Sequence, residues 1–166
     1  MSAFLADPSL DGPYYPTDEL VGVAWLSQRV PGLTAADVAT TLPRASSATE
    51  SVPWLTKGFV QVQAISTGRS LIDIPVRRPV LQVDCWAASP ASSSKVPWNK
   101  AARLVELIRV AAEEDTRFGQ PVDLPNGYLG ARVQAVYLAT DPNRITGDDS
   151  GYARFSLDLA VDWVRQ

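Results

Sequence analysis

Protein chemistry depends on a few residue types, and this chain lacks most of them. It has no histidine and one cysteine, Cys85. The absence of histidine removes Ser-His-Asp and Cys-His nucleophilic arrangements, histidine zinc sites and the commonest general base. A single cysteine removes thiolate zinc clusters, CxxC redox pairs and any intramolecular disulfide; inside an apolar run, Cys85 reads as a small core side chain. Neither a GxGxxG nor a Walker A sequence is present, so no glycine-rich loop is set to cradle phosphate. Carboxylates remain. Asp148 and Asp149 are adjacent, with Asp141 upstream in DPNRITGDDS. A calcium or magnesium loop needs oxygens at alternating positions and a closing acid, and that spacing is missing. Glu113, Glu114 and Asp115 end a helical stretch, where acids oppose the dipole and read as a solvated helix end. The expectation is a non-enzymatic chain with no cofactor and no metal.

Other residues have types suited to contact rather than catalysis. Asp84, Asp158 and Asp162 fall mid-strand on polar sheet positions. They read as a solvent-facing sheet, or as a face that lines a channel or meets a neighbour. As a channel lining, a negative wall would let DNA slide past without sticking. Arg69, Arg77 and Arg78 flank residues 70–74. They serve solubility and edge protection, or make a subunit contact with the acidic hairpin tip of a neighbour, where Asp148 and Asp149 lie with Arg144 as further candidate interface residues. Tyr14 and Tyr15 in the N-terminal arm, and Trp54 in an irregular connector, are candidate interface anchors; an aromatic in such a connector also serves to anchor its loop.

These residues must be positioned by a fold whose elements are legible from periodicity. Residues 1–16, rich in Pro, Gly, Asp and Tyr, form an extended arm, and 17–166 a single domain. Thr17 reads as an N-cap with Asp18 and Glu19 in the first helical turn. Leu20, Val21, Ala24 and Trp25 follow as an apolar stripe, stopped by Pro31 and Gly32. Residues 43–57 are an irregular connector. Strand patterns cover 59–67, where Val60, Val62 and Ala64 share a face, and 79–88, where Leu81, Val83, Cys85 and Ala87 alternate with Gln82, Asp84 and Trp86. A loop or short hairpin partner is expected over 70–74, and a Ser-rich loop over 89–96. A second helix runs from Pro97 to about Glu114, with Trp98, Ala101, Ala102, Val105, Ile108 and Ala112 on one face. The chain closes on a hairpin of 128–140 and 152–164 around a long polar tip, 141–150. Together these predict an α+β fold: a mostly antiparallel four- to five-stranded sheet with two helices packed on one face.

Composition agrees with a domain that buries a proper core. Of 166 residues, 46% are hydrophobic and 20% charged, close to globular averages. The formal charge of -3 gives no basic excess of the kind that holds nucleic acid. No basic-then-apolar leader opens the sequence, and no run approaches the roughly 20 apolar residues of a membrane helix. A soluble protein made in a cytoplasm is expected, with no membrane partner.

The segments PTDELVGVAWLSQRVPGL, FVQVQAIST, RRPVLQVDCWA with its following Ser-rich loop, KAARLVELIRVAAEE and RFSLDLAVDWV resemble, in order and length, the tail terminator proteins of long-tailed phages, particularly those of actinobacteria. The resemblance spans roughly residues 16–166. It implies a structural virion protein at the tail-neck junction, assembled in the host cytoplasm. Its subunits would form a homo-oligomeric, hexameric ring that caps the tail tube protein and stops its polymerisation. The ring would present a surface to the head-completion (neck) protein, and genomic DNA would pass through its lumen. The alternatives are a head-completion or stopper protein, whose folds are richer in strand, and a bacterial domain binding a peptide or small ligand.

Overall fold

The computed structural model describes residues 13–45, 50–66, 75–114, 119–147 and 150–166. Helix α1 spans Asp18–Arg29. Thr17 caps it, its Oγ1 accepting from the Leu20 N–H at 3.1 Å, which satisfies one of the orphan donors of the first turn. Pro31 and Gly32 follow the last turn, with Gly32 at φ +84°, a conformation that suits a residue without Cβ. Helix α2 spans Trp98–Glu113. Pro97 stands at its N-cap with no side-chain cap. Its buried face is Ala101, Leu104, Val105, Ile108, Ala111 and Ala112. Ala102, expected on that face, is exposed. The stripe is instead centred on Leu104 and Ile108, one turn apart.

Among the described residues, eight strands form one mixed sheet: β1 (Val38–Ala39), β2 (Phe59–Ser66), β3 (Val76–Arg77), β4 (Val80–Ala87), β5 (Gln120–Val122), β6 (Ala131–Leu138), β7 (Asn143–Ile145) and β8 (Ala153–Arg165). The order is β1-β2-β4-β8-β6-β5, with β3 and β7 also paired to β8. The class is α+β, but the expected four or five strands are eight, and β1 pairs β2 in parallel. The additional strands, β1, β3, β5 and β7, are two or three residues long. A segment that short has no readable period and exists because a longer strand offers it an edge. β7 lies inside the expected loop 141–150. The loop or hairpin expected over 70–74 falls outside the described residues.

The 13 residues of β8 make it the axis of the sheet. On one edge it pairs with β4 and then β3, on the other with β7 and then β6. Both helices cover one face. Val60 and Val62, Leu81, Val83 and Cys85, Leu157, Leu159, Val161 and Trp163, and Val133 and Val136 form one buried cluster with Val21, Trp25 and Leu26 of α1 and Leu104 and Ile108 of α2. Each large aliphatic side chain in that layer contributes about 1.5–3 kcal/mol by leaving water. At Gly22 the helix comes so close that a Cβ would lie 2.2 Å from Leu81 Cδ1.

α1 also bonds to backbone groups near both sides of the sheet. Near its start, Glu19 Oε1 accepts from the outward Ala64 N–H of β2 at 2.9 Å. Near its end, Arg29 Nη2 donates to Pro121 O of β5 at 2.6 Å, and Gln28 exchanges bonds of 2.8 Å with the N–H and C=O of Asp123. Four backbone groups that could otherwise pair with another strand are thus taken up by one helix.

Candidate functional site

On the face away from the helices, odd-numbered residues of β2 and even-numbered residues of β4 and β8 form a polar ladder. Asp84 lies at its centre and is only 6% exposed. Its Oδ2 accepts from Arg154 Nη2 at 2.7 Å and Gln82 Nε2 at 3.1 Å. Arg154 also lies over the Trp86 ring, 4.9 Å from its centroid, and Trp86 Nε1 donates to Gln61 Oε1 at 3.2 Å. Asp162 faces Arg78 at 3.4 Å. Asp158 is half-buried, and its backbone N–H donates to Thr140 Oγ1 at 2.9 Å. The three acids therefore share their face with Arg154, Arg78 and Arg132, the last placed opposite Val164. Asp84 and Asp162 each have an arginine beside them, Arg154 and Arg78, set there by neighbouring strands. Asp84 Oδ1, Arg154 Nε and Asp162 Oδ1 are buried without a hydrogen-bond partner among the described residues.

One end of this face is covered. Trp54, Phe59 and Ala88 form a second buried cluster, with Val52, Leu55, Trp86 and Tyr152 packed against it. Trp54 Nε1 donates to Pro43 O at 2.7 Å, and its ring meets Tyr152 edge-on at 5.1 Å. Trp54 is 5% exposed, so it anchors its own connector and is not a free interface anchor. Gly58, which ends that connector at φ +88°, has no room for a Cβ, which would lie 2.6 Å from Trp86 O. Beside the cluster is a cavity of about 390 Å³ lined by Asp37, Pro43, Pro53, Trp54, Lys57 and Phe59, with the Lys57–Asp37 pair at 3.5 Å.

The C-terminal end of β8 is encircled by arginines. Register puts Arg77 opposite Trp163 and Arg132 opposite Val164, and Arg165 ends the strand. Arg77 is committed within the chain: Nε and Nη2 donate to the two oxygens of Asp18 at 2.8 and 2.7 Å. That hydrogen bonding raises the guanidinium pKa above its ordinary value, against a smaller lowering by burial. Asp18 Oδ1 also accepts from Trp163 Nε1 at 2.9 Å. Arg77 therefore acts as a brace within the chain, with its side chain still 37% exposed. Arg78 stays exposed outside its contact with Asp162. Tyr14 and Tyr15 are 51% and 64% exposed. Tyr14 bridges to the 127–129 segment by backbone bonds of 2.7 and 2.8 Å and packs on Tyr128 at 6.0 Å. Arg165 lies 4.4 Å over Tyr15. Arg144 stacks on Trp98 at 3.7 Å, at the other end of the sheet. Arg69, Asp148 and Asp149 lie outside the described residues.

Sequence reasoning missed Asp18 as a buried brace, reading it only as an acid favoured in a first turn. It also missed Arg132, Arg154 and Arg165, lone arginines within strand patterns. For Arg154 the alternation with Asp158 was a usable signal; for the others only pairing supplies the meaning. Burial pushes the Cys85 thiol well above its ordinary pKa, with the Asp84 charge adding to the effect. Among the described residues no three His, Cys, Asp or Glu side chains gather to hold a metal, and no helix is long and apolar enough to cross a membrane. Comparison with protein-family models and with curated proteins finds no match to this chain.

Proposed function

We propose that the chain is a tail terminator subunit of a long-tailed phage, building a ring, hexameric as in the proteins it resembles, that caps the tail tube and receives the neck protein. The observation that carries this reading is the two-sided sheet. Both helices serve one face, while the other keeps a polar ladder that no described helix covers over most of β4, β8 and β6. A face of that kind suits a lumen wall or a wet subunit contact, since the rims of such contacts are polar. With part of the sheet edges bonded by α1, subunits meet through side chains and loops. Such head-to-tail contacts give a ring when the rotation closes. The test is negative-stain microscopy of the protein mixed with its tail tube protein. Rings at tube ends and arrested tube growth are expected; tubes that lengthen unhindered and carry no terminal density would refute the proposal.

The cavity beside Trp54 favours a second reading, a ligand-binding domain. Its volume of about 390 Å³ lies within the range of small-molecule sites, and its apolar floor and charged rim suit a peptide. A monomer in every mixture, with saturable peptide binding lost on Lys57→Glu, would favour that reading.

A further inference from the structure

On the helix-covered face, the last residues of β8 carry more donor capacity than the chain itself uses. Register sets Arg77 beside Trp163, and Arg165, two residues further along β8, shares that face. Tyr15 and Pro16 lead into α1 on the other side. Together with Pro75 these residues wall a cavity of about 330 Å³. Arg77 is held from behind: Asp18 accepts from its Nε and Nη2 at 2.8 and 2.7 Å. That leaves Nη1 without a hydrogen bond among the described residues, on a side chain that is 37% exposed. Arg165 is exposed and makes no ion pair among the described residues. Its guanidinium lies 4.4 Å over the Tyr15 ring, which orients it without satisfying its donors.

The charges around the cavity select its ligand. Asp18 is 5% exposed and balances Arg77, so Arg77, Asp18 and Arg165 leave one net positive charge. A monoanion matches that charge; a dianion would add repulsion from Asp18. A guanidinium fork meets a carboxylate in two parallel bonds, which Arg165 can supply, and Arg77 Nη1 can donate a third from a fixed position. Tyr15, Pro16 and Pro75 add apolar surface beside those donors, and the volume lies at the small end of the range of ligand sites. We propose that this cavity binds a carboxylate carried on a small apolar or aromatic body, held between Arg165 and Nη1 of Arg77. Every group in the site belongs to one chain, so the proposal does not depend on the ring reading.

The full chain tests it. Phenylacetate would be titrated into nitrogen-15-labelled protein, with neutral phenylacetamide and inorganic phosphate as comparators. The reporters are the Trp163 indole N–H and the Arg77 Nε–H, both bonded to Asp18 at the back of the cavity. Phenylacetate should shift both signals saturably, with a Kd of about 1 mM for so small a ligand, and neither comparator should saturate. Arg165→Ala should weaken binding about tenfold or more at an unchanged melting temperature, and Arg165→Lys, which keeps the charge and loses the fork, by about threefold. Acetyl-Pro-Phe-Asp-Pro amide carries the same chemistry on an extended peptide. Tighter binding than phenylacetate makes the source an acidic protein segment, weaker binding makes it a free small carboxylate, and both uphold the site. Absence of a saturable shift, equal binding of phenylacetamide, tighter binding of phosphate, or wild-type affinity in Arg165→Ala overturns the inference. None of these results bears on tube capping, so the ring reading stands or falls by its own test.

Discussion

Asp18 shows how much one side chain can be asked to do. It starts α1, yet its two oxygens also brace Arg77 and the indole of Trp163, tying helix, short strand and central strand at a single carboxylate. Asp18→Asn keeps the size and loses the charge. Arg77 is over a third exposed, so water compensates part of the loss, and we expect a cost of about 2–3 kcal/mol. Urea unfolding would measure it; a change below about 0.5 kcal/mol, the scale of surface substitutions, would contradict the brace. Cys85 gives a second residue-scale expectation. Its thiol is fully buried and its pKa is raised. A raised acid binds its proton more tightly in the folded chain. The associated stability is therefore whole below the ordinary thiol pKa of about 8.5 and declines as pH rises above it. A thiol reagent should label Cys85 only at the rate of global unfolding. Fast labelling of the native protein would mean the sheet opens there.

At the scale of elements, α1 acts both as a layer and as a seal. Gly22 sets how closely it lies on Leu81, so Gly22→Val should cost about 1–3 kcal/mol through overpacking, outweighing valine's better helix propensity. Gln28→Ala with Arg29→Ala should raise amide exchange in 120–123 while leaving 80–87 protected; uniform exchange would show that the edge does not depend on the helix. Long elements were legible from sequence because their periods are. Thr17 as cap, the β2 and β4 alternations, the α2 stripe and the run of β8 all state one buried face. β3 and β5 were not, since two or three residues carry no period; the partners of β3 lie 86 and 88 residues away, and those of β5 lie 9 to 13 residues away across an irregular connection. The site was less legible than the fold for the same reason. Trp54 stood out as an aromatic in a loop, but whether it faces inward is decided by Phe59 and Tyr152. Asp84 stood out as an acid in a strand, but its charge is cancelled by Arg154, 70 residues later.

For the whole molecule, the balance of charge sets the expected behaviour toward nucleic acid. A net charge of -3 and paired acids on the polar face leave no continuous basic stripe. We expect duplex DNA to be bound weakly or not at all at physiological salt; tight retention with a steep salt dependence would contradict this. The layout of β8 has a mechanical consequence as well. Four strands grip it along both edges over thirteen residues. Tension applied along that strand loads the flanking hydrogen bonds in shear, so they share the force and yield together instead of unzipping one by one. A subunit pulled from the two ends of β8 would transmit stress through its stiffest member, with the helices off the line of load.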